Sequence, residues 1–407
     1  MRHDLVVFGI AATLRLAFVW GQTRYAWFDM SFVAADSVLY RQLADGLARG
    51  DGFVVNGHPT AFVTPGYPLF LAGLSLVGVR SPEAVGFVQA LLDAVTCVLI
   101  GRIAGKIAGA RAGLAAGLVA ALYPHFIFWS GYMLTETVFV FLTVASLLVL
   151  VELVDRRSLR AAALAGMLLG FAALARPLIL AFALLTPLWM AVAFRVPVSR
   201  RLALATAVII GLALPLGGWA VRNARALGAP VLTSTESGFV FYQGNSPGAT
   251  GGSRGYVDHR DFARLEVPPG LSEVELDRYH WKRAMEFLAS HPEAVPGLAA
   301  RKLANMWRPT YADASLRNRV VLGGSYIALM VLGGVGIVRS LPDLFRRPAV
   351  VLLLVFLAVF VAQHAIITGM IRFRLPLEAV LAVFAGIGID AGLDRFGRGT
   401  ARAVRHA

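Results

Sequence analysis

Over 407 residues the chain is 57% hydrophobic and 15% charged, whereas a soluble globular domain holds about 45–50% apolar and about 25% charged residues. Its 41 glycines and 19 prolines are dispersed through apolar runs, which excludes a disordered chain, and the single cysteine excludes a disulfide framework or a thiolate metal site. The net charge of +14 does not mark a nucleic-acid binder: the arginines sit in short clusters between apolar runs, and the one sizeable hydrophilic segment, 222–318, is nearly balanced with 12 basic and 10 acidic residues.

A helix crossing the hydrocarbon layer needs about 17–25 mostly apolar residues. In chain order the runs of that kind are 5–21, 84–102, 112–129, 137–154, 160–175, 177–194, 202–221, 319–338, 349–367 and 375–391, ten in all. The first run is interrupted by Arg15 and followed by Phe18-Val19-Trp20, so it is expected to stay as a span and not to be cleaved as a signal peptide. Residues 66–79 are apolar but short and follow Pro65, so they are expected to lie in the interface or re-enter it. With that helix left out of the count and the N-terminus placed in the cytoplasm, five basic clusters fall on the cytoplasmic side: Arg102/Lys106/Arg111, Arg156/Arg157/Arg160, Arg195/Arg200/Arg201, Arg339/Arg346/Arg347 and Arg395/Arg398/Arg402/Arg405. That agrees with the positive-inside rule.

Two long segments then face outwards, 22–83 and 222–318. The division expected is a transmembrane module over 1–221 that includes the loop 22–83, an outer loop domain over 222–318, and closing spans with a cytoplasmic tail over 319–407. Within 222–318 the stretch 272–305 reads as helical, starting at a capping box of Ser272 and Glu275. The fold class is an all-α polytopic membrane protein of about ten spans with interfacial helices on the outer face.

Ionisable residues in or beside spans are costly and mark function. Arg15 and Asp93 are expected to neutralise one another inside the bundle, and Glu152 to be interfacial. Asp36, Glu136, Arg176, Arg372 and Arg374 converge on the outer face, where guanidiniums bind phosphate through two parallel hydrogen bonds and a carboxylate takes a proton from an attacking hydroxyl. Interfacial anchoring by the same residues is the competing reading. Asp258-His259-Asp261 is read as a solvated group, not a metal site. Trp281 and Trp307 stand open between sugar contact and the membrane interface, and neither is taken as a site residue.

Asp36-Ser37-Val38-Leu39-Tyr40, Thr64-Pro65-Gly66-Tyr67-Pro68, Tyr132-Met133-Leu134-Thr135-Glu136-Thr137, Arg222-Asn223, Gly244-Asn245-Ser246-Pro247 with Gly251-Gly252, His364, and Arg372-Phe373-Arg374-Leu375-Pro376-Leu377-Glu378 follow one another along the chain. The ordered set resembles the GT-C glycosyltransferases, in the branch of the protein O-mannosyltransferases and lipid A aminoarabinose transferases. The resemblance implies a GT-C-type bundle and an integral membrane glycosyltransferase. Such an enzyme moves a sugar from a polyprenyl-phosphate carrier to a lipid, glycan or protein acceptor on the outer face. It also implies Asp36 as general base, with Glu136 as the second acidic residue. Arg176, Arg222, Arg372, Arg374 and His58 are the cations for the lipid phosphate, and Tyr40, Tyr67, Asn245 and His364 the further substrate contacts. Thr64 stands where the aminoarabinose branch has lysine. Direct displacement with inversion needs no cofactor beyond the donor lipid and no metal. Partners are membrane lipids, the donor and the acceptor, with no nucleic acid. The setting expected is a bacterial cytoplasmic membrane, both termini inside and the site outside; the arginine-rich composition points to a high-GC bacterium. A lipid flippase or transporter, and a non-catalytic scaffold of envelope glycan assembly, are the alternatives.

Overall fold

The computed structural model describes residues 2–25, 34–252, 267–311, 314–342 and 344–404. Helix α1 (Arg2–Tyr25) is followed by an outer segment holding α2 (Ala34–Arg49), a two-stranded hairpin β1 (Val54–Val55) and β2 (His58–Pro59), and the short α3 (Gly66–Leu76). Then come α4 (Pro82–Ala108), α5 (Ala110–Leu122), α6 (Pro124–Ser130), α7 (Glu136–Arg156), α8 (Leu159–Ala175), α9 (Ile179–Ala193) and α10 (Val198–Leu227). The second outer segment carries α11 (Ser237–Gly244), α12 (Glu273–Ser290) and α13 (Ala294–Trp307). The chain closes with α14 (Leu316–Ser340, with a π-helical turn at Arg319–Gly323), α15 (Pro348–Ile366) and α16 (Leu375–Val404).

Every expected span corresponds to a helix, but not every helix is long. Seven described helices are long and apolar enough to cross a membrane: α1, α4, α7, α10, α14, α15 and the segment Ile371–Asp394. The run 112–129 is not straight. It divides into α5 and α6, bent by 55°, because Pro124 clashes with helical geometry at Tyr123, whose backbone is extended (φ −73°, ψ 114°). The runs 160–175 and 177–194 become α8 and α9, of 17 and 15 residues, or about 25 and about 22 Å at 1.5 Å per residue. The 11-residue α3 is too short to cross, as its position after Pro65 predicts.

Two further boundaries move. Helix α10 continues to Leu227, past the division expected at 221/222. The stretch 272–305 is two helices, since α12 ends at Ser290 with His291, immediately before Pro292, as its C-cap. Its start is as read: the Ser272 hydroxyl accepts from the Glu275 amide, and the Glu275 carboxylate accepts from the Ser272 amide at 2.8 Å.

The core is built around α16. Residues 375–387 are buried on all sides, as befits a helix apolar around its whole circumference. Where helices approach most closely, glycine permits it. A Cβ on Gly166 of α8 would lie 2.0 Å from the Val208 carbonyl oxygen of α10, and one on Gly211 would lie 2.1 Å from that of Ala163. Inside the bundle Arg15 meets Asp93 at 2.5 Å and donates to the carbonyls of Ala120 and Ala121, so the pairing expected of these two residues is present.

The charges at one end are joined to each other. Arg102 pairs with Asp4 at 3.2 Å, Lys106 with Glu152 at 3.9 Å, and Arg111 with Asp390 at 2.9 Å and with Asp394. The start of α1, the α4–α5 connection and the far part of α16 therefore share an end. Asp36, Glu136, Arg176 and Arg372 lie at the opposite helix ends.

Candidate active site

Asp36 lies in the first turn of α2, and Glu136 is the first residue of α7. Both are positions where the helix dipole favours a carboxylate. Arg176 follows the last residue of α8, and Arg372 sits in the 3₁₀ turn Ile371–Arg374 that leads into α16. Four distant parts of the chain thus deliver two carboxylates and two guanidiniums to one place. Arg372 donates to Asp36 at 3.2 Å, and its Nε lies 3.8 Å from Glu136. Arg176 holds Glu136 at 2.5 Å and Thr135 at 2.7 Å. Both guanidiniums pack on Phe373, at 4.9 and 5.3 Å from the ring centre, which fixes their planes.

These groups open on a cavity of about 320 Å³. Asp36, Tyr40, Thr64 and Thr135 line one wall, and Arg176, Pro177 and Leu178, from the short α8–α9 connection, line another. Thr368, Arg372 and Phe373 enter from the α15–α16 connection, and Glu236, Ser237, Phe241 and Trp281 from the second outer segment. Thr64 donates to the Ala175 carbonyl at 3.0 Å. Beside it Gly66 is seated against α8, where a Cβ would lie 2.6 Å from the Leu174 oxygen. Burial, reinforced by the carboxylates of Asp36 and Glu236, pushes the Tyr40 hydroxyl above its ordinary range, so it stays a neutral hydrogen-bond donor.

The second outer segment is tied to the first by one face of α12. At its start Glu273 accepts from the Thr60 hydroxyl (2.6 Å), the Ala61 amide (2.8 Å) and the Thr235 hydroxyl (2.6 Å). One turn on, Asp277 accepts from the Gly238 amide (2.6 Å) and the Ser237 hydroxyl (3.1 Å), so it caps α11 from another helix. Spacing of four residues puts Glu273, Asp277 and Trp281 on one face, and Trp281 reaches the cavity.

Several residues expected at the site lie elsewhere. Arg374 is fully buried, donating to Glu378 at 2.6 Å and to the carbonyls of Met306 and Arg308. Its guanidinium lies 3.6 Å from the Tyr326 ring centre. Two residues along a 3₁₀ turn rotate it by about 240° from the cavity-facing Arg372, so it holds the bundle together and does not line the cavity. Arg222 is spent on the carbonyls of Phe53 and Thr60, both at 2.6 Å, and braces the hairpin. His58 is exposed on β2 and is not among the cavity residues. Tyr67 is buried, donates to Gln89 at 2.7 Å and supports Tyr40 edge-on at 5.2 Å. Asn245 and His364 are buried behind the cavity wall, Asn245 accepting from Lys302 at 2.7 Å and His364 bonded to the Phe360 carbonyl. Asp36, Tyr40, Arg176 and Arg372 line the cavity as expected, and Glu136 sits just behind, gripped by the two arginines.

Sequence reasoning missed Glu236, Ser234, Ser237, Gln363 and Thr368, polar residues with no spacing signal of their own. Among the described residues no group of three or more His, Cys, Asp or Glu is arranged to hold a metal. Asp258-His259-Asp261 lies outside the described residues.

Residues 58–219 match the family model of the dolichyl-phosphate-mannose-protein mannosyltransferases. No curated protein matches the chain. Among solved structures, the archaeal oligosaccharyltransferase AglB of Archaeoglobus fulgidus, in complex with an inhibitory peptide and a dolichol-phosphate, superposes with a TM-score of 0.56 at 16% identity, covering 98% of this chain and 52% of that one. The same oligosaccharyltransferase in complex with Zn and sulfate gives 0.52 at 15% identity, covering 99% and 50%. ArnT of Cupriavidus metallidurans, bound to undecaprenyl phosphate, gives a TM-score of 0.41 at 14% identity, covering 87% of this chain and 73% of that one. The chain spans about half the length of the archaeal enzyme. Over nearly its whole length this protein is a polytopic helical membrane protein with the fold of the archaeal oligosaccharyltransferase, and over residues 58–219 it is similar to the dolichyl-phosphate-mannose-protein mannosyltransferases.

Proposed function

We propose that this protein is a glycosyltransferase that moves a sugar from a polyprenyl-phosphate carrier to an acceptor on the outer face of a bacterial cytoplasmic membrane, with both termini inside. The observation that carries the reading is Asp36 held at 3.2 Å from Arg372 on the wall of a cavity that also contains Arg176. A base and two phosphate-binding guanidiniums are thereby within one substrate's reach.

The chemistry follows from those charges. A sugar on a lipid phosphate already carries its leaving group. As the phosphate enters, it competes with Asp36 for the fork of Arg372, which frees a carboxylate oxygen to accept the proton of an attacking hydroxyl or amine. The nucleophile attacks the anomeric carbon, the bond from that carbon to the phosphate oxygen breaks, and the lipid phosphate leaves with its charge on Arg372 and Arg176. Stabilising that charge with preorganised donors in a water-poor cavity is the largest contribution available to such a site. Displacement by one step inverts the anomeric centre and forms no enzyme-bound sugar. Glu136, buried and bonded to Arg176, neutralises the pair of arginines and sets their position. In this reading no cofactor other than the donor lipid is called on.

The test is transfer of radiolabelled sugar from a panel of polyprenyl-phosphate sugars in membranes carrying wild-type or Asp36→Asn protein. Loss of a general base lowers the rate by about 10²–10⁴-fold, and that is the expected result. Equal transfer by the variant removes Asp36 from this role. Absence of transfer by the wild type across donors and acceptors overturns the proposal.

A further inference from the structure

Trp281 belongs to no span and to no motif of the ordered set, yet it stands on the cavity rim, 36% exposed. A tryptophan at a membrane interface normally leaves its N–H to the headgroup region. Here the N–H is already used. Nε1 donates to the Ser237 hydroxyl at 3.0 Å, and that hydroxyl donates to Asp277. The indole is also stacked on Phe241, with ring centres 4.1 Å apart and planes inclined by 22°. Gly238 lets α11 close on it, since a Cβ there would lie 2.8 Å from the indole Cδ1. Two hydrogen bonds in series, a stacked partner and a close backbone hold the ring plane before any ligand arrives.

A fixed indole, with its polar edge spent and its ring on a cavity that mixes apolar and polar lining, matches a pyranose. One face of that ring presents C–H groups, and its rim presents hydroxyls. The hydroxyl rim finds acceptors and donors in Glu236, Ser234 and Thr368 of the same cavity. The space also bounds the size of the sugar, because about 320 Å³ shared with Arg176 and Arg372 holds one monosaccharide and its phosphate together. We infer that Trp281 is the platform on which the donor's sugar ring rests, a specificity-determining contact that the lipid and phosphate do not share. The inference rests on the donor class proposed above.

The experiment compares the detergent-purified full chain as wild type, Trp281→Ala and Trp281→Phe in binding two probes, a polyprenyl-phosphate hexose and the same polyprenyl phosphate without sugar. The expected result for Trp281→Ala is about a tenfold rise in Kd for the glycosylated lipid, with the bare lipid phosphate unchanged. Trp281→Phe, which keeps the stack on Phe241, retains most of the affinity. Parallel weakening for both probes assigns Trp281 a merely structural part, and no change for either removes it from the sugar; both results overturn the inference. If the wild type binds the two probes equally, the platform is refuted while the carrier reading stands. If it binds neither, the donor class itself is refuted.

Discussion

Arg372 and Arg374 are two residues apart and have opposite fates. Arg372 faces the cavity and Asp36, whereas Arg374 lies buried on Glu378, and His125 meets the same carboxylate at 3.2 Å. Their variants should therefore fail differently. On the proposed reading Arg372→Lys loses a forked contact to phosphate, and at about 1.5–3 kcal/mol for a hydrogen bond to a charged group transfer should fall about ten- to 150-fold with little change in melting temperature. Arg374→Ala leaves Glu378 buried without one of its two ionic partners, a loss of about 3–5 kcal/mol, and should appear first as a lowered melting temperature in detergent. If Arg374→Ala melts like the wild type and only loses donor affinity, it is a phosphate ligand after all.

Lys302 supplies a pH prediction at the same scale. It is 1% exposed, its ammonium donates to Asn245 and to the Ile366 carbonyl, both at 2.7 Å, and burial pulls its pKa from 10.5 down to about 8. In the unfolded chain the lysine keeps its proton up to about 10.5, so between pH 8 and 10.5 the unfolded state binds more protons. Stability should thus rise with pH through that window. Thermal melts at pH 7.5 and 9.5 should show a gain in the wild type relative to Lys302→Met; parallel behaviour of the two would refute the assignment. These distinctions were not legible in the sequence, where Arg372, Arg374 and Arg222 are equally cationic residues on the outer side. Side-chain direction decides between them, and neighbours from α2, α7, α13 and the hairpin set that direction.

At the scale of elements, the bundle depends on backbone-to-backbone approach. Between membrane helices no hydrophobic effect distinguishes lipid from protein, so close packing of small residues takes its place. Gly166 and Gly211 are points where α8 and α10 touch. A side chain at either would press on a carbonyl oxygen and not on a flexible group. Gly166→Val should destabilise the protein by about 1–3 kcal/mol or more, the usual cost of overpacking. Gly217→Ala, in the same helix α10 but with nothing within 4 Å of the added carbon, should not. Differential scanning fluorimetry of the two variants checks this, and equal melting temperatures would refute the close approach. The helices themselves were largely legible, because apolar runs bounded by Arg and Pro specify where a membrane segment starts and stops. The bend at Tyr123-Pro124 and the break at His291-Pro292 are also local, since both rest on proline. The shortness of α8 and α9 was less visible. Arg176 and Pro177 mark its place, but only the cavity they line shows its use.

For the whole molecule, ion pairs among Asp4, Arg102, Lys106, Glu152, Arg111 and Asp390 gather at one end, and the candidate site lies at the other. Cys97 is buried, so labelling of introduced cysteines meets a silent background. Met285 on α12 is 54% exposed and Phe345, in the α14–α15 connection, 90% exposed. In intact spheroplasts a membrane-impermeant maleimide should label Met285→Cys and spare Phe345→Cys until the membrane is opened. The reverse pattern would place the candidate site on the cytoplasmic side.

Composition, the length of apolar runs and the spacing of arginine clusters were enough to determine a polytopic helical protein and the pairing of Arg15 with Asp93, but not the number of full-length spans, expected as ten where seven described helices are long enough to cross. Such features are set by the membrane, which acts on each segment separately. Motif order was enough to bring Asp36, Glu136, Arg176 and Arg372 under suspicion together. The tertiary structure alone decided that Arg374 and Arg222 are spent inside the fold, that Glu136 stands behind the arginines, and that Glu236 and Trp281 complete the cavity wall. The reason is physical: a site made by four chain segments that lie between 40 and 336 residues apart is defined by where helices cross, and no local pattern records that crossing.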